Sequence, residues 1–441
     1  MHGPLSAAAA PGPVAAVLRP YSTAEHELGR ALRKRGRAGL AVVPANRAAW
    51  GMTGPPPDPA DWWRVVTEPD QPGDLAALLA GFGAVDVLPG DETAVPLAWE
   101  VASKLGLPGN DPARSGSCTD KVAMQQALET ADPRVPHPVT IGAAGPRTVL
   151  TAAQTVAQAT RWPIVIKPRW SASSVGVSVC YTLDEVAAAW DAISGQPGAL
   201  GEITRAVAVQ EYLSGTKWTV DTVTVPGPDG RPVHRPTSFW CEWVSVTSSG
   251  GAGGGIAWGE SWLVPPAVTN PRHPALRVAA YARQVLDAVG VRAGPACTEV
   301  VLTARGPRLV EVMARLAGCY PVHLVELVTG QSQVTATVDA LIDPAALACR
   351  PPAAGDGRAV VQAWLAAPYD GFLDGAVLQQ ILGLRWVVGA SDGLVDGAPV
   401  RQTKDSPSSP GHLDLLGLPG DVEQDLAAIR ALEHSLYRRR G

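Results

Sequence analysis

Residues 297–315 read CTEVVLTARGPRLVEVMAR and form the most informative stretch of the chain. β-Branched residues and leucines stand on both sides of a short segment of small and charged residues, a pattern typical of a β-hairpin. We predict two strands, 297–303 and 308–313, joined by a three-residue turn at Ala304-Arg305-Gly306. The register of this hairpin determines which side chains face each other.

Two glutamates face each other in the predicted register. A three-residue turn places Thr303 opposite Pro307 and, counting outward, Glu299 opposite Glu311. Carboxylates with Cβ atoms about 5 Å apart repel by on the order of 3 kcal/mol at a surface-like dielectric. A bound Mg²⁺ removes this cost, and Arg315, on the side of Glu311, could stabilise a transferring phosphoryl group. By itself, the pair favours an ordinary solvated strand face over a metal site.

Basic residues and a hinge add to this pattern. Lys167 ends a predicted buried strand and precedes the loop 171–177, SASSVGV, which offers a charge and backbone N–H groups to a phosphate chain. The spacing is not that of a P-loop. Lys121 lies in the first turn of a predicted helix, where the dipole disfavours a cation. Residues 210–213, QEYL, end a strand whose main chain could pair with adenine. Each feature also has an ordinary structural explanation.

Composition excludes several classes of protein. The chain has 441 residues, of which 46% are hydrophobic and 17% charged, enough for two or three domains with their own cores. A net charge of −5 offers no general attraction to nucleic acid. No stretch approaches the roughly 18 apolar residues of a membrane helix, so no membrane partner is expected. Six scattered cysteines predict reduced thiols in a cytoplasmic protein.

Periodicity and composition divide the chain into four parts. Residues 1–20, rich in Ala and Pro, are predicted to be disordered. Residues 21–115 alternate helices and strands as in a small parallel α/β domain, and residues 116–345 combine paired strands with helices. Residues 346–441 are predicted to be β-rich and to end in an amphipathic helix. The glycine-rich stretch 248–255 is predicted to be a mobile loop.

The chemistry-bearing elements follow one order along the chain: Lys121, Lys167 with its Ser/Gly loop, the hinge 210–213, Glu299 and Glu311-Val312-Met313-Ala314-Arg315. This series resembles the ATP-grasp superfamily, in particular its carboxylate–amine ligases of the L-amino acid ligase type. The resemblance implies an α/β and α+β protein with the ATP-grasp fold. It would have an N-terminal Rossmann-like pre-ATP-grasp domain, an ATP-grasp domain at 116–345 and a C-terminal β-rich subdomain.

The resemblance also implies a role for each matching residue. Glu299 and Glu311 would bind one or two Mg²⁺ ions. Arg315 would be catalytic, and Lys167 would be both catalytic and ATP-binding. The other ATP contacts would come from Lys121, Ser173, Ser174, Gly176, Gln210, Glu211 and Leu213.

Some positions depart from the family pattern. Met313 stands where the family often has an asparagine, and a thioether is a poor ligand for a hard cation. Lys217 stands where the family commonly has an acidic residue for the ribose hydroxyls, so that role is not carried over. Trp170 and Ala172 replace glycines expected in the phosphate loop.

The resemblance implies an activity. Enzymes of this type phosphorylate a carboxylate with ATP, and an amine then attacks the acyl phosphate to give an amide, ADP and phosphate. We therefore expect a ligase acting on small carboxylate and amine substrates, amino acids in particular, in secondary metabolism. Two alternatives remain: an ATP-grasp module that binds nucleotide without turnover, and an acid–thiol ligase or carboxylase-like enzyme. The sequence does not determine the oligomeric state, and a homodimer is among the states that it allows.

Candidate substrate residues lie in two places. Four tryptophans flank the glycine-rich loop: Trp240, Trp243, Trp258 and Trp262. That loop could act as a lid over an acceptor pocket, although a place in the core is the more common one for aromatic residues. His323 and Cys319 follow Arg315 closely and could contact a substrate carboxylate.

Overall fold

The N-terminal part of the protein is a parallel sheet with the strand order β3-β2-β1-β4. The computed structural model describes residues 10–46, 56–132, 134–247 and 251–439. The elements of this first part are β1 (Val14–Leu18), α1 (Thr23–Lys34), β2 (Ala38–Val43), β3 (Arg64–Thr67), α2 (Pro72–Gly81), β4 (Ala84–Pro89) and α3 (Ala94–Lys104). This agrees with the helix–strand alternation predicted from the sequence.

Strand β1 corrects the prediction that residues 1–20 are disordered. Its five residues, VAAVL, are all buried and pair with β2 on one side and β4 on the other. A continuous apolar run is what a strand covered on both faces requires, although its composition is also that of a low-complexity segment. Residues 1–9 lie outside the described part of the chain.

A small lobe follows a 3₁₀ turn at Pro112–Cys118. It contains α4 (Lys121–Ala131), β5 (Thr140–Ala143), α5 (Pro146–Thr160), β6 (Ile164–Pro168), β7 (Ser178–Cys180), α6 (Leu183–Ile193) and β8 (Val207–Glu211). Its antiparallel sheet has the order β5-β8-β6-β7. Asp120 caps α4 by accepting hydrogen bonds from the backbone N–H groups of Val122 and Ala123.

The large lobe supplies five strands of an eight-stranded sheet. Its elements are β9 (Gly215–Pro226), β10 (Pro232–Val246), β11 (Ile256–Val264), α7 (Pro274–Val289), β12 (Gly294–Thr303), β13 (Gly306–Met313), α8 (Val322–Thr329), α9 (Gln333–Ile342) and α10 (Pro344–Cys349). The whole sheet has the order β13-β12-β9-β10-β11-β14-β18-β16.

The C-terminal part continues this sheet and does not begin a separate one. It contains β14 (Ala359–Leu365), β15 (Gly371–Leu373), α11 (Gly375–Leu382), β16 (Val387–Ala390), β17 (Pro399–Val400), β18 (Gly411–Gly417), α12 (Pro419–Leu436) and β19 (Tyr437–Arg439). Strand β14 pairs with β11, so the sheet crosses the predicted boundary at residue 345, which falls inside α10. A small sheet, β17-β15-β19, packs beside it.

Other sequence-based expectations have mixed outcomes. The six cysteines, all within the described residues, are free thiols. Over the described ranges, no helix has the length and apolar character needed to cross a membrane. Residues 248–250 of the glycine-rich stretch lie outside the described part. The remainder is bonded to the small lobe, since Gly254 exchanges two backbone hydrogen bonds with Val179.

Candidate active site

The predicted pairing of two glutamates across the β12–β13 hairpin is confirmed, because Glu299 lies opposite Glu311. The predicted turn is one residue too long. Thr303 pairs with Gly306, which leaves two residues in the turn. A bulge then leaves Val310 without a partner and shifts the register back by one residue. Two deviations from the predicted hairpin therefore cancel at the glutamates.

Each glutamate has a lysine partner. Lys121 Nζ lies 3.3 Å from Glu311 Oε2, and Lys217 Nζ lies 3.3 Å from Glu299 Oε2. Lys217 also forms a buried ion pair with Glu242, a residue that the sequence did not single out. The repulsion expected between the facing carboxylates is therefore offset by two ammonium groups.

Glu242 anchors Lys217 firmly. Its carboxylate also accepts hydrogen bonds from Thr219 Oγ1 at 2.6 Å and from the Tyr320 hydroxyl. Burial alone would lower the pKa of Lys217, but the Glu242 and Glu299 carboxylates outweigh it and raise that pKa. Burial raises the pKa of Glu299, and Lys217 opposes the rise. Lys217 thus remains a fixed cation inside the site.

Lys121 and Lys167 are held by backbone carbonyls. Lys121 Nζ donates to Ser171 O at 2.6 Å, and Lys167 Nζ donates to the carbonyl of the bulged Val310 at 3.3 Å. Burial and the neighbouring Lys121 charge lower the pKa of Lys167 to about 8. Both ammonium groups are buried cations whose neutral partners an anionic ligand can replace.

The loop between β6 and β7 has an unusual backbone. Ser173 and Ser174 both have φ of 56°, a left-handed conformation uncommon for residues with a Cβ. Gly176 also has positive φ, and a Cβ there would lie 2.9 Å from a ring carbon of Pro168. Gly176 is absent from the cavity lining, whereas Ser173 and Ser174 are part of it.

The predicted hinge at the end of β8 lies in the cavity wall with part of its polar surface already engaged. Gln210 is buried and donates its side-chain amide to a β5 threonine hydroxyl at 2.7 Å. The backbone N–H of Glu211 donates to Val139 O at 2.9 Å, and its carboxylate pairs with Arg305. Because this N–H is already bonded, the adenine contact predicted for the Glu211 backbone would have to use the Glu211 carbonyl. Leu213 is half-buried in the same wall.

Arg315 lines the cavity but is already paired with Glu92, which follows β4 in the N-terminal sheet. Arg315 Nε lies 3.0 Å from Glu92 Oε1, and Nη2 contacts the same oxygen. Nη2 also lies 3.1 Å from the Met313 sulfur. Burial would lower the pKa of Arg315, but Glu92 outweighs it and raises that pKa. The N-terminal domain thus positions the predicted catalytic arginine.

One cavity of about 450 Å³ brings these residues together. Its lining includes nearly every residue predicted to contact ATP or metal: Lys121, Lys167, Ser173, Ser174, Gln210, Glu211, Leu213, Glu299, Glu311 and Arg315. Sequence reasoning missed Glu92 and Glu242, because each lies far along the chain from its cationic partner and carries no local signal.

The donor set fits a cation that arrives with phosphate. Within the described residues, no group of three or more His, Cys, Asp or Glu side chains lies close enough to hold a metal ion. Glu299 and Glu311 nevertheless face each other as hard oxygen donors, and phosphate oxygens and water complete such a shell for Mg²⁺. Met313, which packs in a small apolar cluster with Cys297 and Ala317, adds no hard ligand.

The tryptophans flanking the glycine-rich loop have four different environments. Trp240 is fully buried and stacks on Tyr320 with ring centroids 4.2 Å apart. Trp243 is exposed, and Trp262 packs against the C-terminal core. Trp258 alone among the four lines the cavity. Of the two other candidates, Cys319 lines the cavity, whereas His323 lies outside it, with Nδ1 3.9 Å from a Glu27 oxygen.

Comparisons with known proteins find one similar ligase sequence and a set of similar folds. No family model matches the chain. Dapdiamide A synthase of Enterobacter agglomerans is 25% identical over 285 residues, which are 63% of this chain. The match spans 63% of the length of that synthase, less than two thirds of it.

Solved structures resemble nearly the whole chain. The L-amino acid ligase from Bacillus licheniformis has a TM-score of 0.68 and 16% identity, covering 98% of this chain and 99% of that one. The biotin carboxylase domain of 2-oxoglutarate carboxylase from Hydrogenobacter thermophilus, solved with MgADP, ADP and bicarbonate, has a TM-score of 0.58 and 13% identity, covering 91% and 86%. The chain therefore has the ATP-grasp fold, and the fold predicted from the sequence is confirmed.

Proposed function

We propose that this protein is an ATP-dependent carboxylate–amine ligase that joins small substrates, amino acids in particular, through an acyl phosphate. The supporting observation is the single cavity in which two facing glutamates, three lysines and an arginine line the space beside the β8 strand end. The names of the synthase and of the amino acid ligase that this chain resembles support the same chemistry.

The lysines and the β6–β7 loop would bind the ATP phosphates. Lys121 and Lys167 bring two buried positive charges to one side of the cavity, where neutral carbonyls now hold them. Phosphate oxygens are stronger acceptors than these carbonyls, so ATP would draw both ammonium groups toward itself. The loop at Ser173 and Ser174 would close over the phosphates with its backbone N–H groups.

Glu299 and Glu311 would hold Mg²⁺ together with the nucleotide phosphates. When bound, Mg²⁺ neutralises phosphate charge that builds up during phosphoryl transfer. Lys217 would keep Glu299 in place from the opposite side, because its ammonium is itself fixed by Glu242.

The chain would then promote two displacements mainly by positioning and charge neutralisation. In the first, a substrate carboxylate oxygen forms a bond to the γ-phosphorus while the bond from that phosphorus to the bridging oxygen of ADP breaks. In the second, the amine forms a bond to the acyl carbon, phosphate leaves and the amine loses a proton. Arg315, held by Glu92 at the cavity wall, would stabilise the negative charge of the transferring group.

The test is substrate-dependent release of ADP. Purified protein with ATP, Mg²⁺ and pairs from an amino acid panel should form ADP, phosphate and an amide only when both substrates are present. With the acid alone, hydroxylamine should trap the acyl phosphate as a hydroxamate. ATP binding without ADP formation for any pair would favour the nucleotide-binding module, and amide-free turnover with a thiol would favour an acid–thiol ligase.

Glu311→Gln is the matching variant for this assay. Loss of one of the two metal-facing carboxylates should abolish turnover while the fold is retained. Glu423→Gln removes an exposed carboxylate of α12 and should leave the rate unchanged. Near-normal activity of Glu311→Gln would contradict the assigned metal role.

A further inference from the structure

Two tryptophans line the cavity from strands other than those that carry the glutamates. Trp258 is on β11 and Trp364 is on β14, three and four strands away from the strand of Glu299. Their ring centroids are 6.2 Å apart with an angle of 41° between the planes. We call these two half-buried side chains the tryptophan wall. Nothing in the phosphate chemistry requires them.

The tryptophan wall is rigidly supported. Arg430 of α12 donates to the carbonyls of Gly259 at 2.7 Å and of Trp364 at 2.8 Å, which joins the two strands where the rings emerge. His412 packs beside Trp364 with ring centroids 5.0 Å apart. A preorganised pair of flat apolar surfaces of this kind binds a ligand at low entropic cost.

The charges around the wall disfavour a cationic ligand. Lys217 Nζ already lies 5.5 Å from the Trp258 ring centroid, where a ligand ammonium would make its cation–π contact. The floor between the two strands is formed by Ser261 and Gln362, a cross-strand pair of buried uncharged side chains. The Gln362 amide is bonded to the carbonyl of Cys319 at 3.0 Å.

The cavity carboxylates are also engaged elsewhere. Glu299 and Glu311 face lysines, and Glu211 pairs with Arg305. Among the described residues that line the cavity, every carboxylate therefore has a cationic partner within the protein. A basic side chain of a substrate would find no unpaired carboxylate in the cavity lining, and Asp414, behind the floor, accepts a hydrogen bond from the Gln362 amide at 3.3 Å.

We infer that the tryptophan wall selects substrates by their side chain, admitting an uncharged aromatic or branched apolar group of one of the two joined amino acids. The inference rests on the proposed function for its reaction, whereas the binding step does not depend on turnover. Trp258 and Trp364 would contact the substrate side chain, and Arg430 would be a positioning residue for both.

The test measures binding and turnover separately. Titration calorimetry of full-length protein saturated with ADP and Mg²⁺ should detect phenylalanine and leucine, and lysine or aspartate should bind at least about tenfold more weakly. Trp364→Leu and Trp258→Leu should each weaken phenylalanine binding on the order of tenfold, and Trp364→Phe should retain most of it. Trp243→Leu, which changes an exposed tryptophan outside the cavity, is the matched control.

The outcomes separate the inference from the proposed function. If phenylalanine binds as expected and the variants lose it while no pair forms ADP, the inference stands and the ligase proposal fails. If ADP forms but selectivity among side chains is unchanged in both leucine variants, the inference fails and the ligase proposal stands. A loss of ADP affinity in Trp258→Leu or Trp364→Leu with unchanged amino acid binding would assign the wall to the nucleotide and overturn the inference.

Discussion

The two facing glutamates have lysine partners at the same distance but in different surroundings. Glu311 faces Lys121 and Glu299 faces Lys217, in both cases with 3.3 Å between nitrogen and oxygen. Lys121 has a backbone carbonyl as its other acceptor, whereas Lys217 has the buried carboxylate of Glu242. An incoming anion can replace the neutral acceptor of Lys121 more easily than it can replace the buried carboxylate of Lys217.

The two lysines therefore have different roles, although they are residues of the same type. A cation with one carboxylate and one neutral acceptor can turn toward a ligand, and a cation fixed between two carboxylates acts as part of the framework. Under the proposed function, Lys121 would therefore bind the ligand, and Lys217 would keep Glu299 in place.

The largest expected effect comes from removing the exchangeable lysine. Lys121→Met should lower kcat/KM on the order of a thousandfold, about 4 kcal/mol of transition-state stabilisation, because a phosphate contact is lost. Steady-state kinetics with varied ATP check the rate, and thermal unfolding should show a change of only a few degrees. Severe unfolding of this variant would show that Lys121 has a structural role like that of Lys217, and the proposed difference between the two lysines would be wrong.

Removing the fixed lysine should act mainly on stability. Lys217→Met leaves Glu242 as an unpaired buried charge and should lower the free energy of unfolding by about 3–5 kcal/mol. Denaturant titration measures this loss. The control is the double variant Lys217→Met/Glu242→Gln, which should regain part of the lost stability because it buries no lone charge. A loss below about 1 kcal/mol for Lys217→Met would show that the pair is dispensable.

A third lysine, Lys167, extends the comparison, because its titration should make nucleotide binding depend on pH. This lysine is also held by a carbonyl, and burial lowers its pKa from 10.5 to about 8. Since phosphate prefers the charged form, ADP affinity should fall several-fold as the pH rises from 7 to 9.5. Calorimetry across this range checks the trend, and Lys167→Arg, which stays charged, should flatten it. An unchanged slope in Lys167→Arg would assign the titration to another group.

The smallest effect is expected at the third glutamate of the cavity. Glu211 pairs with Arg305, whose side chain is 63% exposed at the hairpin turn. Solvent screens such a pair, so Arg305→Ala should change the free energy of unfolding by no more than about 0.5 kcal/mol. ADP affinity should change less than about threefold. A larger effect in calorimetry would mean that this pair fixes the hinge.

The sequence predicts the pairing of the two glutamates correctly, but it does not predict the length of the turn or the bulge that produce this pairing. Strand alternation and a turn signal place Glu299 opposite Glu311, but turn length and bulges are set by local backbone packing that residue types do not report. Strand β1 was missed because five small apolar residues have the same composition whether they are buried or disordered. Its identity as a strand depends on β2 and β4 being present on either side.

The ion-pair partners were beyond sequence reasoning for a similar reason. Lys217 stands out in the sequence as a departure from the family pattern, but its partner Glu242 is positioned by a neighbouring strand whose register the sequence leaves open. Glu92 reaches Arg315 only because the N-terminal sheet packs against the large lobe. Contacts between distant segments depend on tertiary packing, and local patterns do not encode them.

The continuity of the eight-stranded sheet has a practical consequence. Sheets twist, so side chains from strands that are not neighbours can converge in one cavity. Lys217 Nζ lies 3.3 Å from Glu299 Oε2 and 5.5 Å from the Trp258 ring centroid, although β11 is separated from β12 by two strands. An engineer seeking new substrates would therefore change Trp364 before Trp258, because a substitution of Trp258 also removes a neighbour of the lysine that holds Glu299.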